Sequence, residues 1–363
     1  METLFEIEKP AYEIPTLAEI KTRDNGLTAV STFSGCGGSS TGLRMAGWRI
    51  PYAVEFIPAA RDTYRANYPT TFVDDRDIRE IDPNEILEKI GLKAGELDLF
   101  EGSPPCSSFS TSNSSKDAQY GAMKEKVYSD GVKQTTDDLF DEWLRLLEGL
   151  NPRAILAENV PGLLTGSGSD FYDEIIERLD DLGYRVTATV YNSAHFGAAT
   201  SRRRLIIAGI RKDVSDARIP IVRPVVESAY TLDDALLSLP NPIPVEEFTY
   251  AGFEGYAIHR EWLKLEPGEG SEKFFNLVRP RRDRPLPTVT STGAQNASAS
   301  ITHPDDPRKL TATEVAWVSG FPADYVLTGT PAQRYERIGR AVPPPLYAVV
   351  GKAIADVLKT AIN

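Results

Sequence analysis

Residues 97–110 read LDLFEGSPPCSSFS, and this stretch is the strongest single indication of the fold. Residues 97–100 are apolar apart from one acid, so they predict a short buried strand. Cys106 follows a pair of prolines and is therefore expected in a rigid turn at the carboxyl end of that strand. Ligands of open α/β sheets bind at this edge. A thiol placed there is a candidate nucleophile, although a buried and unreactive cysteine is the commoner case.

A glycine-rich loop lies upstream of that strand. Residues 28–33 (TAVSTF) predict a strand, residues 34–38 (SGCGG) form the loop, and a helical pattern follows. In this arrangement the backbone can approach a nucleotide-like ligand closely. The glycine spacing differs from the dinucleotide fingerprint, and the loop lacks the Gly-Lys-Ser/Thr ending of a phosphate cradle. A tight turn without a ligand is the alternative.

Acidic residues follow the next two predicted strands. Residues 52–55 (YAVE) predict a second strand that ends in Glu55, where a carboxylate would accept hydrogen bonds from two ribose hydroxyls. Asp77 and Ile78 come after the run 73–75 (VDD), and we expect them at the end of a third strand, facing an adenine amino group. With the glycine loop, these residues predict a pocket for a nucleoside-containing cofactor.

Another buried strand is predicted downstream, over residues 153–157 (RAILA). Glu158 and Asn159 follow it directly, which places them on the same sheet edge as Cys106. Glu158 is therefore a candidate active-site residue. For a glutamate considered alone, a helix-capping or surface role is the alternative.

An arginine-rich segment leads into the next predicted strand, residues 205–208 (LIIA). Arg202 and Arg204 stand at alternate positions beside the sheet edge. The planar guanidinium group suits contact with an anion or a nucleobase, so both residues are candidates for substrate contact. A solvated basic edge is the alternative.

These segments occur in the order found in the carbon-5 cytosine-specific DNA methyltransferases, and the chain resembles that family over nearly its whole length. The resemblance implies a Rossmann-like, doubly wound α/β sheet of the S-adenosylmethionine-dependent methyltransferase type, with a smaller target-recognition domain. Six matching motifs carry it: the glycine loop at 33–38, Pro-Cys with Phe-Ser at 105–110, Glu-Asn-Val at 158–160, the arginine motif at 202–204, RPLPTVT at 284–290 and GRAVPP at 339–344.

The resemblance also implies a covalent mechanism. The Cys106 thiolate would add to carbon 6 of a cytosine flipped out of the duplex, and Glu158 would donate a hydrogen bond or proton to ring nitrogen 3. Arg202 and Arg204 would stabilise negative charge and hold the carbonyl oxygen of the base. The product would be 5-methylcytosine. The residues implied in binding S-adenosylmethionine are Phe33, Gly35, Cys36, Gly37, Gly38, Glu55, Phe56, Asp77, Ile78, Ser103, Pro105, Arg340 and Val342.

Three positions depart from the family motifs. Ser107 and Thr200 replace glutamines, and both changes are conservative because a small hydroxyl side chain can still bond to the backbone. Arg340 stands where the family usually has asparagine, and it brings a permanent charge beside the implied cofactor pocket. Facing the sulfonium region, it would favour carboxy-S-adenosylmethionine and give 5-carboxymethylcytosine. Contact with a phosphate or a neighbouring acid is the other expectation for this arginine.

The sequence divides into three predicted segments. Residues 1–212 alternate strands and helices as a catalytic and cofactor-binding domain, residues 213–332 are proline-punctuated and form the target-recognition domain, and residues 333–363 return to the catalytic domain. The polar stretch 111–136 is expected to be a mobile loop that closes over the flipped base and is disordered in the free protein. Residues 250–273 and 291–300 are candidate base-reading segments, and ordinary turn residues are the equal alternative.

Composition sets the expected partners and location. The 363 residues carry a net charge of −12, but basic residues cluster at 202–204 and 279–284, where they could contact phosphates or be solvated surface charge. Double-stranded DNA is the partner that the resemblance implies. Two cysteines and three scattered histidines show no disulfide framework or metal spacing, so no metal is expected. Without an apolar run of spanning length or a signal-peptide pattern, we expect no membrane contact and a cytoplasmic protein, monomeric like many of the family.

The leading interpretation is a DNA-modifying enzyme from a restriction-modification system or a phage. Two further alternatives stay open besides the carboxymethyl one. The first is the transfer-RNA branch of the same family, which the long segment between the arginine motif and residue 284 disfavours. The second is a catalytically silent DNA-binding homologue, against which the intact Cys106, Glu158, Arg202 and Arg204 argue.

Overall fold

The structure, a computed structural model, describes residues 10–105, 125–127, 131, 133–135, 138–166, 168–240, 242–274, 276–291 and 300–362. The predicted nucleophile Cys106 and its neighbour Ser107 lie outside the described residues. So do most of the predicted loop 111–136 and residues 292–299 of the second predicted base-reading segment.

Strands and helices alternate through the first half of the chain. The strands are β1 (Thr28–Thr32), β2 (Arg49–Val54), β3 (Phe72–Asp74), β4 (Leu99–Gly102), β5 (Glu125–Val127), β6 (Lys133–Thr135), β7 (Ala154–Asn159), β8 (Tyr184–Asn192), β9 (Thr200–Ser201), β10 (Arg203–Arg211) and β11 (Leu286–Pro287). The helices are α1 (Leu17–Lys21), α2 (Gly38–Met45), α3 (Pro58–Asn67), α4 (Pro83–Ile90), α5 (Leu139–Leu150), α6 (Gly168–Asp181), α7 (Leu232–Leu237), α8 (Val245–Ala251), α9 (Ala257–Trp262), α10 (Ala312–Val318), α11 (Pro331–Arg340) and α12 (Pro344–Ile362).

Seven strands form one central sheet in the order β3-β2-β1-β4-β7-β10-β8. The first five in this order are parallel to their neighbours, whereas β10 runs antiparallel between β7 and β8. The strand order reverses between β1 and β4, and this switch point is where open α/β sheets bind ligands. The predicted Rossmann-like, doubly wound sheet is therefore confirmed.

The two faces of the sheet bury different sets of helices, because successive side chains of a strand point to opposite faces. Val30 and Phe100 point to the face covered by α4, α5 and α6. Ala29 and Leu99 point to the opposite face, which α2 and α12 cover. Glu101 lies two residues beyond Leu99, so it shares the face of α2 and α12.

Two predicted strand ends were wrong. The strand predicted over residues 97–100 lies at Leu99–Gly102, because the Asp98 carboxylate instead accepts a hydrogen bond from the Thr28 N–H (2.9 Å) and pairs with Arg153. The third strand ends at Asp74, and Asp77 caps a 3₁₀ turn at Ile78–Glu80 rather than ending a strand. At Asp77 the short acidic side chain bonds the backbone of the following residues, which commonly diverts a chain from strand to turn.

The last two helices close the chain onto its beginning. A Cβ atom on Gly42 of α2 would lie 2.3 Å from the carbonyl oxygen of Pro344 and 2.5 Å from Cβ of Tyr347. Helices α2 and α12 are therefore in backbone contact at a position that only glycine fills. The stretch Pro331–Ile362 is apolar and long enough to cross a membrane by length and composition alone, but 61% of its most apolar window is buried inside the protein, as in a core helix.

Residues from distant parts of the chain share one apolar cluster. It joins Tyr12 and Tyr64 near the amino terminus to Tyr230, Trp317 and Tyr335. The Tyr12 hydroxyl donates to the carbonyl oxygen of Trp317 (2.7 Å). Because this cluster crosses the three predicted segments, their boundaries at residues 212 and 332 stay a prediction.

Replacing Gly42 by alanine tests the contact between α2 and α12. We expect Gly42→Ala to lower the free energy of unfolding by about 1–3 kcal/mol, because the added methyl group overlaps backbone that cannot easily move. Gly252→Ala is the matched control, since a Cβ there meets nothing closer than 3.6 Å and its φ is −64°. Urea unfolding of both variants measures the difference. Equal stability of Gly42→Ala and the parent protein would contradict the contact.

Candidate active site

The glycine loop turns sharply between β1 and α2. Phe33, Gly35 and Gly37 have positive φ angles of 51°, 56° and 91°. This left-handed conformation is costly for a residue as bulky as phenylalanine. A Cβ atom on Gly38 would lie 2.4 Å from the carbonyl oxygen of Val342. Glycine at this position therefore allows the last predicted motif to pack against the first.

The loop leaves open space beside its backbone and holds an acid in place. A Cβ on Gly35 would meet no atom within 4 Å. Its N–H donates to Oε2 of Glu55 and the Ile57 N–H donates to Oε1, each at 2.7 Å. Burial raises the pKa of Glu55, while these hydrogen bonds and the guanidinium groups of Arg337 and Arg340 oppose the rise. A carboxylate has about four lone-pair sites, so Glu55 keeps capacity for ribose hydroxyls.

Cys36 fills the interior of the loop. Its Sγ lies 3.7 Å from the carbonyl oxygen of Arg337, and the Tyr325 hydroxyl donates to the Cys36 carbonyl. Burial raises the pKa of the Cys36 thiol to about 12. Because the thiolate is the nucleophilic form, burial disfavours Cys36 as a nucleophile.

Arg340 belongs to a row of alternating charges beside the loop. Its Nη2 lies 2.5 Å from Oε1 of Glu336, and the Glu336 Oε2 lies 3.0 Å from Nη2 of Arg337. Burial raises the pKa of Glu55 and the charge of Arg340 opposes that rise, so the guanidinium lies within electrostatic reach of the predicted ribose acid. The structure thus places Arg340 at the predicted cofactor region. There it contacts a neighbouring acid, which is one of the two environments that the sequence analysis expects for it.

Glu158 and Arg204 form an ion pair at the carboxyl edge of the sheet. Arg204 Nε lies 2.5 Å from Glu158 Oε1, and the two side chains are only 13% and 11% exposed. The next residue, Asn159, donates through Nδ2 to the carbonyl oxygen of Pro104 (3.2 Å). The Glu-Asn-Val motif therefore holds both the ion pair and the turn that leads to Cys106.

Arg202 has a different environment from Arg204. It is 5% exposed, and its Nη1 donates to the carbonyl oxygen of Val289 (3.0 Å). Burial lowers the pKa of Arg202, the charge of Arg204 adds to this effect and Glu158 opposes it. Thr200 donates its hydroxyl to a backbone carbonyl of β11 (3.0 Å), within the short pairing of β9 and β11. Thr200 thus bonds to the backbone as its small hydroxyl predicts.

The remaining predicted cofactor residues surround the same edge. Phe56 follows the carboxyl end of β2, and Ser103 and Pro105 follow β4, all three partly exposed. Ile78 is buried at the start of its 3₁₀ turn, and the Asp77 carboxylate accepts the Arg79 guanidinium (2.8 Å).

Sequence reasoning missed Glu101, which is fully buried on β4. Its Oε1 accepts hydrogen bonds from the hydroxyls of Ser31 (2.5 Å) and Ser39 (2.8 Å). Burial raises the pKa of Glu101 to about 7; the two serine bonds oppose the rise and the charge of Glu158 adds to it. The signal was available in the sequence as one acid inside an otherwise apolar strand, directly before the glycine and prolines that precede Cys106.

The fold and the site together define a class of protein. A parallel sheet with a glycine loop after its first strand and an acid after its second is the plan of Rossmann-like enzymes that bind nucleoside-containing cofactors. The sequence pattern of the C-5 cytosine-specific DNA methylases matches residues 27–356. The chain belongs to this family and is a DNA (cytosine-5-)-methyltransferase by that membership.

Individual relatives agree with the family. The Type II methyltransferase M1.HphI of Haemophilus parahaemolyticus is 28% identical over 90% of this chain and 86% of its own length. M.PspPI of a Psychrobacter species is 30% identical over 92% of this chain and 80% of its own length. An E. coli prophage-encoded protein assigned as a DNA modification methyltransferase has a crystal structure with a TM-score of 0.71, at 22% identity, covering 93% of this chain and all of that one. This last likeness concerns the fold alone.

The pH dependence of the free energy of unfolding should reveal the raised pKa of Glu101. The unfolded chain ionises Glu101 near its ordinary pKa of 4.5, whereas the folded protein keeps the proton to about pH 7. The stability contribution of Glu101 is therefore fully present below about pH 4.5 and is lost as the pH rises to about 7, by at most about 3 kcal/mol.

Glu101→Gln cannot ionise and should remove this loss. We expect the stability of the variant relative to the parent protein to rise between pH 5 and pH 7.5 in urea unfolding. A difference that is the same at every pH would show that Glu101 ionises normally in the folded protein.

Proposed function

We propose that this enzyme methylates carbon 5 of cytosine in double-stranded DNA, with Cys106 as the covalent nucleophile and S-adenosylmethionine as the methyl donor. One observation carries the proposal. The Glu158–Arg204 ion pair and the Asn159 contact to Pro104 lie together at the carboxyl edge, where β4 leads into Cys106. A general acid and an anion-stabilising guanidinium beside a nucleophile are what this addition chemistry needs.

The protein groups have separate tasks in this reaction. Cys106 adds to carbon 6 as thiolate, forming a carbon–sulfur bond while the ring electrons shift towards nitrogen 3. Glu158 holds a proton at nitrogen 3, and Arg204 orients the Glu158 carboxyl and stabilises its charge when that proton leaves. Carbon 5, made electron-rich by this addition, would form a bond to the methyl group as that group leaves the donor sulfur. The carbon-5 proton then passes to solvent or a nearby base, and the electron pair of the broken C–H bond restores the ring double bond and expels the Cys106 thiolate. The target base must leave the stack, which costs a few kcal/mol.

The cofactor residues fit S-adenosylmethionine. The open backbone at Gly35 and the carboxylate of Glu55 would hold the nucleoside part, with Phe33, Phe56, Asp77 and Ile78 around it. The group supplies an electrophilic methyl on a positively charged sulfur. Gly38 and Val342 close the pocket from the side of the last motif.

Two observations support contact with DNA: the membership in the family and the arginines in the second half of the chain. The predicted basic cluster at 279–284 is largely paired within the protein: Arg281 lies 2.6 Å from Asp283, and Arg282 lies 2.5 Å from Asp233. Arg279 lies over the Trp262 ring, 4.5 Å from its centroid. We infer that Arg281 and Arg282 exchange their acidic partners for phosphates when DNA binds, which makes the affinity salt-dependent.

The relatives indicate the biological role of this enzyme. Because M1.HphI and M.PspPI are Type II methyltransferases, we propose a restriction-modification role for this chain. Among the described residues no group of His, Cys, Asp and Glu side chains has the arrangement of a metal site. The monomeric state and the cytoplasmic location stay predictions.

Covalent trapping tests the nucleophile. DNA containing 5-fluorocytosine, incubated with protein and S-adenosylmethionine, should give a complex that resists denaturing electrophoresis, because fluorine at carbon 5 cannot leave as a proton does and Cys106 is not expelled. Cys106→Ala should bind this DNA and give no such complex, and unsubstituted DNA is the second control. Binding without trapping by the parent protein would favour the catalytically silent homologue.

A second candidate function follows from Arg340. The fixed positive charge of Arg340 near Glu55 would attract the extra carboxylate of carboxy-S-adenosylmethionine. The contact with Glu336 already neutralises part of that charge. If the carboxymethyl function holds, Arg340→Asn should lower the preference for the carboxylated donor roughly tenfold to a hundredfold in competition, measured by nucleoside mass spectrometry. An unchanged ratio of the two products would exclude this role of Arg340.

A further inference from the structure

Arg79 lies between the predicted adenine acid Asp77 and the start of α5. Its Nη1 donates to both oxygens of the Asp77 carboxylate, at 3.0 Å and 2.8 Å. Its Nε donates to Oδ2 of Asp138 (2.8 Å), and its Nη2 donates to Oδ1 of Asp138 and to the carbonyl oxygen of Thr135, the latter at 2.8 Å. A guanidinium group has five N–H groups, and these five contacts use all of them. The side chain is therefore held in one orientation from two sides.

A second arginine fixes the backbone of the same turn to α5. Arg145 belongs to α5 and donates through Nη2 to the carbonyl oxygen of Ile78 (2.9 Å) and through Nη1 to that of Ile81 (3.0 Å). Its Nε donates to Glu142 on the same helix (2.7 Å). Both ends of the 3₁₀ turn are therefore attached to α5 without the help of Arg79. What depends on Arg79 is the direction of the carboxylate that precedes the turn.

The contacts of Asp77 leave capacity for one more hydrogen-bond donor. Its Oδ1 accepts the backbone N–H of Arg79 (3.1 Å) as well as Nη1, whereas Oδ2 accepts Nη1 alone among the described residues. A carboxylate has about four lone-pair sites, so one site stays open on Oδ2. The Asp77 side chain is 17% exposed, which leaves this site accessible to a ligand. Because an ionised carboxylate only accepts hydrogen bonds, the open site favours an amino group and repels a carbonyl oxygen.

We propose that Arg79 is a positioning residue that makes the donor pocket specific for a purine with an amino group at carbon 6. By bonding both oxygens of Asp77, Arg79 fixes the plane of the carboxylate and directs the open site of Oδ2 towards that amino group. A purine with a carbonyl oxygen at carbon 6 would bring two acceptors face to face, which weakens its binding. The inference rests on the proposed function, in which Asp77 lies at the nucleoside part of S-adenosylmethionine.

Arg76 has a similar setting in the same stretch of chain and serves as the matched control. It donates to the Asp74 carboxylate through Nε (3.1 Å) and Nη2 (2.8 Å), and to Glu85 through Nη2 (2.7 Å). Asp74 also accepts the Tyr52 hydroxyl (2.5 Å) and is only 4% exposed, so its carboxylate is not accessible to a ligand. Arg76 therefore repeats the pairing of Arg79 with two acids, but without an acid that a ligand can reach.

The affinities of two related nucleosides test the proposal. S-adenosylhomocysteine has the 6-amino group, and S-inosylhomocysteine has a carbonyl oxygen in its place. Calorimetric titration of the purified protein gives the Kd of each compound. We expect the parent protein to bind the adenine compound roughly tenfold to a hundredfold more tightly, the range for a hydrogen bond to a charged group. In Arg79→Gln this ratio of the two Kd values should fall about tenfold, because the carboxylate of Asp77 then turns freely.

The ratio of the two Kd values separates positioning from support of the fold. A merely structural loss in Arg79→Gln would weaken both compounds by one factor and keep the ratio, and this result would overturn the proposal. Arg76→Gln should keep the parent ratio, and a fall as large as that of Arg79→Gln would also overturn it. Arg79→Lys retains the charge without the planar fork, so it should lose the preference as well. A parent protein that binds both compounds equally would contradict the proposal outright.

Asp138→Asn provides an independent variant should Arg79→Gln not fold. It weakens the anchor of Arg79 and leaves Asp77 itself unaltered, so the ratio should fall in the same direction, and an unchanged ratio would overturn the proposal. The failure of the proposed function would look different. A parent protein that binds neither compound and forms no 5-methylcytosine would reject that function, whereas binding of S-adenosylhomocysteine with a parent-like ratio in Arg79→Gln would reject only the role of Arg79.

Discussion

The backbone contact between the two ends of the chain is the constraint on which the site depends. The carbonyl oxygens of Val342 and Pro344 approach Gly38 and Gly42 more closely than any side chain would permit. This contact brings Arg340 within electrostatic reach of Glu55 and buries Tyr347 on the face of the sheet that carries Leu99 and Leu156. The glycine loop therefore has two tasks, since it leaves room for a ligand on one side and for the closing helix on the other.

Much of the fold could be predicted because its signals are local. Apolar runs bounded by glycine, proline or acids marked most of the central strands, and Glu158 and Asn159 end β7 as predicted. The antiparallel placement of β10 and the pairing of β9 with β11 depend on contacts between distant residues, which no local pattern encodes. Asp77 was misplaced because its carboxylate bonds to the backbone of the following turn.

The site was predicted less completely, for reasons of electrostatics. Motifs identify residue types, but the partner of a charge depends on the folded chain. Arg204 contacts Glu158 while the nearby Arg202 contacts a backbone carbonyl. Glu101 was missed because, although it is visible as one acid in an apolar strand, its two serine donors come from β1 and α2, which only the folded chain brings together. Cys106 lies outside the described residues, and its proposed role rests on the motif and on the turn before it, where Asn159 contacts Pro104.

Nucleoside mass spectrometry of DNA incubated with the purified protein and each donor tests the central claim most directly. The account predicts 5-methylcytosine with S-adenosylmethionine and its absence with Cys106→Ala. A 5-carboxymethylcytosine product would contradict the methyl assignment and make Arg340 the residue that selects the donor. DNA that is bound but left unmodified with either donor would contradict the enzyme itself.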